Sequence, residues 1–203
     1  MLSGAILAGG TSSRMGQEKG LALLRNKPLI SYVAKTISMV ADEVVVAVAP
    51  GMSGSYTEVL GEEFRVYEDR REHGGPLDGL ITALAAAKGE YVIVCPCDTP
   101  FLRPELMESI ARFAKGRDGA IPIVRGYIEP LHGAFRRSHC LSVFEEAVEE
   151  GCRKVADAFA MLNLVMIDED TVRGLDMSLE SFWNLNTPED LAQAEYVMAR
   201  RFD

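Results

Sequence analysis

Leu2 to Leu7 is a short apolar run suited to a buried strand, and it opens directly into Ala8-Gly9-Gly10-Thr11-Ser12-Ser13-Arg14-Met15-Gly16-Gln17-Glu18-Lys19. The chemistry such a stretch can perform is the handling of polyphosphate. Paired glycines remove the side chains that would hold a triphosphate off the backbone, and the hydroxyls of Thr11, Ser12 and Ser13 add donors to the exposed amides. Arg14 and Lys19 supply fixed positive charge. The spacing excludes the P-loop pattern Gly-x-x-x-x-Gly-Lys-Ser/Thr and the dinucleotide fingerprint Gly-x-Gly-x-x-Gly. Taken alone, a glycine pair after a first strand is also an ordinary tight turn.

A second chemical position is Asp98. Tyr91 to Cys97 is the strongest apolar strand after the first, and it ends in Asp98-Thr99-Pro100-Phe101. A carboxylate where a buried strand opens into solvent, shortly before a proline that stops further pairing, can hold a divalent cation over bound phosphates. An aspartate that merely starts a turn before proline is the alternative.

Leu7-Ala8-Gly9-Gly10, Arg14-Met15-Gly16 and Lys19 together resemble the signature loop of nucleotidyltransferases that join a nucleoside triphosphate to a phosphorylated acceptor. Within that superfamily the stretch most resembles the molybdenum cofactor guanylyltransferases. Cys95-Pro96-Cys97-Asp98-Thr99-Pro100-Phe101 is similar to their metal-binding strand end, where cytidylyltransferases for the same cofactor usually carry Gly-Asp-Gln-Pro. Asn184-Leu185-Asn186-Thr187-Pro188-Glu189-Asp190-Leu191 resembles a C-terminal element of the superfamily in which an asparagine approaches the metal. The resemblance therefore implies Asp98 and Asn186 as ligands of Mg2+, an ion that takes one or two protein oxygens and completes its octahedron with phosphate and water. Alternation along a strand would send Asn184 and Asn186 to one side. The competing reading, that Asn186 and Thr187 cap the last helix, is compatible with it.

Gly74-Gly75-Pro76-Leu77 resembles the family's Gly-Pro-Leu element, which helps to enclose the nucleoside, and Asp69 matches an aspartate assigned to nucleotide binding. The implied nucleotide contacts are then Leu7, Ala8, Gly9, Gly10, Lys19, Asp69, Gly75, Pro76, Leu77 and Asp98, with Arg14, Lys19 and Asp98 as the catalytic set. Asp78 and the run Arg70 to Glu72 read as a solvated face. One departure stands out: the guanylyltransferases often place an asparagine at the end of the second strand, where this chain has Ala47. On the acceptor side, Glu129 to Ala134 and Gly151 to Val155 resemble family segments that imply contacts from His132, Arg153 and Lys154. A structural histidine and a solvated helix start are the alternatives for these.

These residues need a scaffold, and the hydrophobic pattern supplies one. Helices are expected at Leu29 to Val40, weakly at Tyr56 to Leu60, at Gly79 to Lys88 and Pro104 to Ala114, over Leu141 to Glu150 and Lys154 to Met161, and at Pro188 to Arg200. Strands are expected at Glu43 to Val48, Phe64 to Tyr67, Gly119 to Val124, Asn163 to Ile167 and Phe182 to Leu185, with a bent strand or hairpin over Tyr127 to Arg136. Arg25-Asn26-Lys27-Pro28 reads as a turn that can start a helix. Alternation of strand and helix through residues 1 to 97 specifies a parallel sheet, and such sheets bind ligands at the carboxyl ends of their strands. Together with the resemblance this gives a three-layer α/β/α, Rossmann-like nucleotidyltransferase fold with a mostly parallel, mixed central sheet. The expected organisation is one domain over 1–203, with 1–100 for nucleotide and 101–203 for acceptor.

The bulk properties narrow the function classes. With 203 residues, 48% apolar and 25% charged, the chain can bury a substantial core. A net charge of −9 argues against a nucleic-acid surface, so any polyanion handled is small and met by local charge. No apolar run is long enough to span a bilayer and no secretory leader is legible, which gives a cytoplasmic expectation. Cys95, Cys97, Cys140 and Cys152 have no paired metal spacing and read as reduced, mostly buried thiols. The resemblance implies transfer of GMP from GTP to the terminal phosphate of molybdopterin carrying its metal. It also implies transient contact with the molybdoenzymes or cofactor-insertion proteins that receive the product. Cytidylyl, cobinamide-phosphate and lactyl-phosphate transfer in the same fold, or a nucleotide-binding module without turnover, are the alternatives.

Overall fold

The computed structural model describes residues 1–9, 18–70, 75–152 and 155–202. In chain order the elements begin with β1 (Leu2–Ala8), β2 (Leu23–Leu24) and β3 (Lys27–Pro28), followed by α1 (Leu29–Ile37), β4 (Glu43–Val48), α2 (Ser53–Leu60) and β5 (Arg65–Glu68). Next come α3 (Pro76–Ala86), β6 (Tyr91–Pro96), α4 (Pro104–Ala114), β7 (Gly119–Val124), β8 (Tyr127–Ile128) and β9 (Gly133–Arg136). The chain closes with α5 (Arg137–Glu149), α6 (Val155–Phe159), β10 (Leu164–Ile167), α7 (Glu169–Leu175) and α8 (Pro188–Phe202). Among the described residues, one eight-stranded sheet runs β10-β7-β9-β6-β1-β4-β5, with β8 paired to β7. Its pairs are parallel except where β9 meets β6 and β7 and where β8 meets β7.

Strand alternation distributes the core. Ile6, Ala8, Val46 and Val48 point into the layer formed by α1, α2, α4 and α7. Ala5, Leu7, Val45 and Ala47 point into the layer of α3, α5 and α6. Both faces of β1 and β4 are therefore covered, as their nearly unbroken apolar sequences require. Gly4 admits α1 to the sheet, because a Cβ there would lie 2.1 Å from Ile37 Cγ2. A third cluster joins Ala194 and Met198 of α8 to Ala22, Leu24, Phe101 and Leu185.

The structure refines or corrects five local expectations. Arg25 and Asn26 form a left-handed pair, φ 49° and 59°, that turns β2 onto β3 as a hairpin before α1 begins. The bent strand or hairpin expected over Tyr127 to Arg136 resolves into β8, which returns antiparallel on β7, and β9, which runs antiparallel between β6 and β7. Phe182 to Leu185 is not a strand: a 3-10 turn covers Glu180–Phe182, and the following donors go to single loop acceptors instead of a ladder. The helix α7 was not expected; Asp168 caps it by accepting from the Thr171 N–H at 2.8 Å, and Glu169 and Asp170 favour its first turn. Pro76, at the first turn of α3, starts that helix three residues before Gly79.

The chain lays β4 and β5 on one side of β1, then returns through α3 to lay β6 on the other side. The sheet thus changes direction at β1, and the crevice beyond the carboxyl ends of β1 and β6 is where an open α/β sheet takes a ligand.

Candidate active site

That crevice holds a cleft of about 420 Å³, within the range of small-molecule sites, roughly 300–1,000 Å³. A larger concavity of about 660 Å³ lies at the opposite end of the sheet, around Met1, Asp42, Glu90 and Tyr91. It is at the amino ends of β1 and β6, where parallel sheets of this kind do not bind ligands.

One wall of the cleft is Leu7, Gly9, Asp69, Gly75, Pro76 and Gly79. The pairing registers Leu7↔Ala47 and Ala47↔Tyr67 put Gly9, Ala49 and Asp69 in the next row on the same face. The Asp69 N–H still donates to the Val48 carbonyl at 2.8 Å, so the ladder extends one residue past β5 and fixes the aspartate. Its side chain lies against Gly9 and Gly79: a Cβ on Gly9 would be 2.5 Å, and one on Gly79 3.6 Å, from Asp69 Oδ2. Asp69 is only 9% exposed, and its Oδ1 has no hydrogen-bond partner among the described residues. Burial pushes its carboxyl up to about 6, with a hydrogen bond from Thr82 opposing and the nearby Asp78 adding to the push. Gly75, at φ 79° and ψ −173°, occupies backbone space essentially closed to other residues and delivers the chain into α3.

The opposite wall is Lys19, Pro96, Cys97, Asp98, Leu131 and Asn184. The Cys97 N–H donates to the Leu7 carbonyl at 3.1 Å, which carries the β6 ladder up to Asp98. Lys19 stands on a short 3-10 turn, Lys19–Leu21, whose Gly20 is pressed onto neighbouring side chains. A Cβ at Gly20 would lie 2.8 Å from Tyr56 Oη and 3.2 Å from Cys97 Sγ. The Lys19 ammonium sits 3.5 Å from Asp98 Oδ2 and donates to Asn186 Oδ1. Asp98 Oδ1 has no hydrogen-bond partner among the described residues. Burial raises the Asp98 carboxyl above its ordinary value, and Lys19 opposes that rise.

Thr187 is the cap of α8: its Oγ1 accepts from the Asp190 N–H at 3.1 Å, and Asp190 Oδ2 accepts from the Asn186 and Thr187 N–H groups, both at 2.9 Å. This reciprocal cap uses the Asn186 backbone and leaves its side chain to Lys19. The capping reading of this stretch therefore holds through the backbone, and the Asn186 side chain stays beside Asp98 and Lys19.

The structure therefore brings together Leu7, Gly9, Lys19, Asp69, Gly75, Pro76, Asp98 and Asn186, from four separated stretches of chain. Ala8 and Leu77 direct their side chains into the two core layers, away from the cleft. Gly10, Arg14, Arg153 and Lys154 lie outside the described residues. His132 is 1% exposed, tilted against Phe182 at 4.8 Å between ring centroids, and burial pushes its pKa down to about 4. It is a neutral interior ring, and its neighbour Leu131 reaches the cleft in its place. Ala47 is fully buried in the α3 layer, so a contact from that position is absent and Asp69, one row further on, is the polar group of that wall. Thr82 and Gly20 escaped the sequence reading; the signal available for Thr82 was its place one turn after Asp78 on α3. All four cysteines are free thiols, with Cys95, Cys97 and Cys140 buried and held protonated by that burial.

Residues 4–163 match the family described as a MobA-like NTP transferase domain. The chain is 34% identical over 197 residues to a Pelotomaculum thermopropionicum protein named "Probable molybdenum cofactor guanylyltransferase", covering 97% of this chain and 93% of the relative. A Natranaerobius thermophilus protein of the same name is 30% identical over 203 residues, covering 98% and 97%. The solved structure of molybdopterin-guanine dinucleotide biosynthesis protein A from Archaeoglobus fulgidus superposes with a TM-score of 0.84 at 29% identity, over 98% of this chain and 99% of that one.

Proposed function

The chain belongs to the MobA-like NTP transferase family, and from that premise we propose that it transfers GMP from GTP to the terminal phosphate of molybdopterin carrying its metal. The products are molybdopterin guanine dinucleotide and pyrophosphate. The observation that carries this reading is the Lys19 ammonium placed between Asp98 and Asn186, across a glycine-floored cleft from Asp69.

A terminal phosphate oxygen of the acceptor forms the new bond to the α-phosphorus of GTP. The bond from that phosphorus to the bridging oxygen breaks, and pyrophosphate leaves with the electron pair. A phosphomonoester has its second pKa near 6, roughly, so the attacking oxygen is already ionised at neutral pH and the site needs no general base. Among the described residues, the histidine beside the cleft wall, His132, is buried and neutral. The work left to the protein is alignment of two anions and neutralisation of charge on the leaving group. Gly9 lets the nucleotide approach the backbone, Asp69 and Pro76 bound the nucleoside, and Lys19 with Arg14 offers positive charge to the phosphates.

Asp98 and Asn186 fit a magnesium ion: the pair offers oxygen ligands, Asp98 Oδ1 is buried and partnerless among the described residues, and an ammonium already stands against both side chains. When bound there, magnesium supplies Lewis-acid neutralisation of the triphosphate. Arg153 and Lys154 are assigned to the acceptor's phosphate from the family likeness; Asn184 and Leu131 line the cleft. Among the described residues no helix is long and apolar enough to cross a membrane. The reading carries a cytoplasmic setting, where thiols stay reduced, and transient handover of product to molybdoenzymes or cofactor-insertion proteins.

The test is pyrophosphate release by the purified protein with Mg2+, molybdopterin and each of GTP, CTP, ATP and UTP in turn. Release with GTP well above the others is expected. A preference for CTP, or no release with molybdopterin but release with another phosphorylated acceptor, would reassign the substrates.

A further inference from the structure

A polar node centred on two buried groups, Asp176 and Ser181, with the more exposed Arg103 and Ser178 around them, lies outside the cleft lining. Asp176, just after α7, is fully buried. Its carboxylate takes donors from Arg103 Nε at 3.3 Å, from the Ser181 N–H at 2.8 Å and from Ser178 Oγ at 3.3 Å. Ser181, also fully buried, accepts from the Arg103 N–H at 3.1 Å. Arg103 ends the loop that begins at Asp98, and Ser181 sits in the turn that leads to Asn186. The node thus ties together the two segments that carry the proposed cation ligands.

Two more contacts continue the seam toward the cleft. Trp183 stacks on Phe101 at 5.4 Å, and the Leu185 N–H donates to the Asp98 carbonyl at 2.9 Å. Residues 176 to 187 contain no strand, so no ladder sets their register. Apolar packing of Trp183 and Leu185 holds the segment down, yet packing alone tolerates sliding. A buried carboxylate costs desolvation that an apolar core would avoid, and what it returns is directional geometry when every lone pair is met.

We propose that Asp176 is a positioning residue for nucleotidyl transfer: with Arg103 and Ser181 it holds Asn186 in register with Asp98, so that their two side chains act as one divalent-cation site. The inference rests on the metal assignment of the proposed function and extends it to residues that touch neither nucleotide nor acceptor.

Asp176→Asn keeps the shape and removes the charge that gathers the donors. The full-length variant is compared with wild type for Mn2+ binding by electron paramagnetic resonance in the presence of a non-hydrolysable GTP analogue. Affinity for the analogue is measured separately in EDTA, and amide hydrogen exchange at Leu185 is measured without metal. The expected result is Mn2+ affinity at least tenfold weaker, analogue affinity in EDTA within twofold of wild type, and loss of protection at Leu185 with β1 and β6 unchanged. A general loss of structure would move all of these together. If Asp176→Asn does not fold, Ser181→Ala, which removes one bond of the node, is expected to give the same pattern at about threefold. Unchanged Mn2+ affinity and unchanged Leu185 protection in a folded variant overturn the inference. Asp98→Ala and Asn186→Ala serve as references. If neither weakens Mn2+ binding, the metal assignment falls and this inference with it; if both do and the node variants do not, only this inference falls.

Discussion

Replacing Asp69 with asparagine separates what the cleft needs from what the fold needs. Burial raises this carboxyl from its ordinary 3.8 to about 6, Thr82 opposes and Asp78 adds to the effect. At about 1.4 kcal/mol for each pKa unit, keeping it ionised at neutral pH destabilises the folded state by about 3 kcal/mol. The sign follows from where the proton is held. The folded carboxyl binds it more tightly than the unfolded chain does, so stability is highest below about pH 4, falls as pH rises through about 6, and is level above that. An amide carries no such penalty, though its own unmet hydrogen bonds take back about 1 kcal/mol. Asp69→Asn is therefore expected to stabilise the free protein by about 2 kcal/mol at pH 7.5, a Tm increase of about 4–8 °C for a chain of this size. Near pH 4.5 the remaining penalty is only about 1 kcal/mol, so the two effects cancel and the Tm is unchanged. Thermal melts of both proteins at the two pH values, with GTP titrated at pH 7.5, read the outcome. No rise at pH 7.5, or an equal rise at both, would refute the strained-carboxylate argument. A stabilised variant that still bound GTP at wild-type strength would remove Asp69 from the nucleotide contacts, where a loss of at least tenfold is expected.

Asp98→Ala should leave the melting curve near wild type and cut pyrophosphate release about a thousandfold, the scale of losing a preorganised electrostatic group; unchanged turnover in Mg2+ would take Asp98 out of the metal site. Lys19→Ala should weaken GTP about tenfold or more, the worth of a charge-assisted contact, and leave the free acceptor's affinity unaltered in titration calorimetry. Equal losses for both ligands would make the lysine structural. Gly20→Ala places a methyl 2.8 Å from Tyr56 Oη, and because that buried ring cannot retreat, the Lys19 turn must shift; the GTP dissociation constant is expected to rise while the loss of stability stays within about 1–3 kcal/mol. Wild-type affinity would show that the turn's position does not matter.

Where a segment's own apolar pattern decides its structure, the sequence was legible. β4, α4 and β7 have the boundaries their patterns imply, since valine-rich runs and a helical stripe each have one way to bury themselves. Phe182 to Leu185 carries the same apolar signal, but its fate depends on remote acceptors, the Asp176 side chain and the Asp98 carbonyl, which no local pattern announces. α7 is short and acidic, and its surest mark was Asp168 standing before Glu169 and Asp170. In the site, motif likeness named Asp69, Asp98 and Asn186 individually. It did not give their environments: the Asp69 side chain lies against Gly9 and Gly79 and its burial raises its proton affinity, and His132, packed on Phe182, is kept neutral by burial.

The free cleft is held together by interactions that binding must undo. Lys19 meets Asp98 and Asn186, the same two side chains that the proposed reading reserves for a divalent cation. Lys19 uses Asp98 Oδ2 and leaves Oδ1 without a partner among the described residues, so under that reading a cation would compete with the ammonium for Asn186 Oδ1 and a triphosphate would offer the ammonium an alternative partner. Such an exchange would keep the count of opposite-charge contacts constant and would not strand Asp98 as an unpaired buried charge. Under the proposed reading metal and nucleotide binding would then be mutually dependent, because the triphosphate would offer the lysine a replacement partner and the cation would offer Asp98 one. The same logic accounts for a lysine at position 19 in a chain of net charge −9: without it, the buried carboxylates facing the cleft would repel the polyanion they are meant to receive.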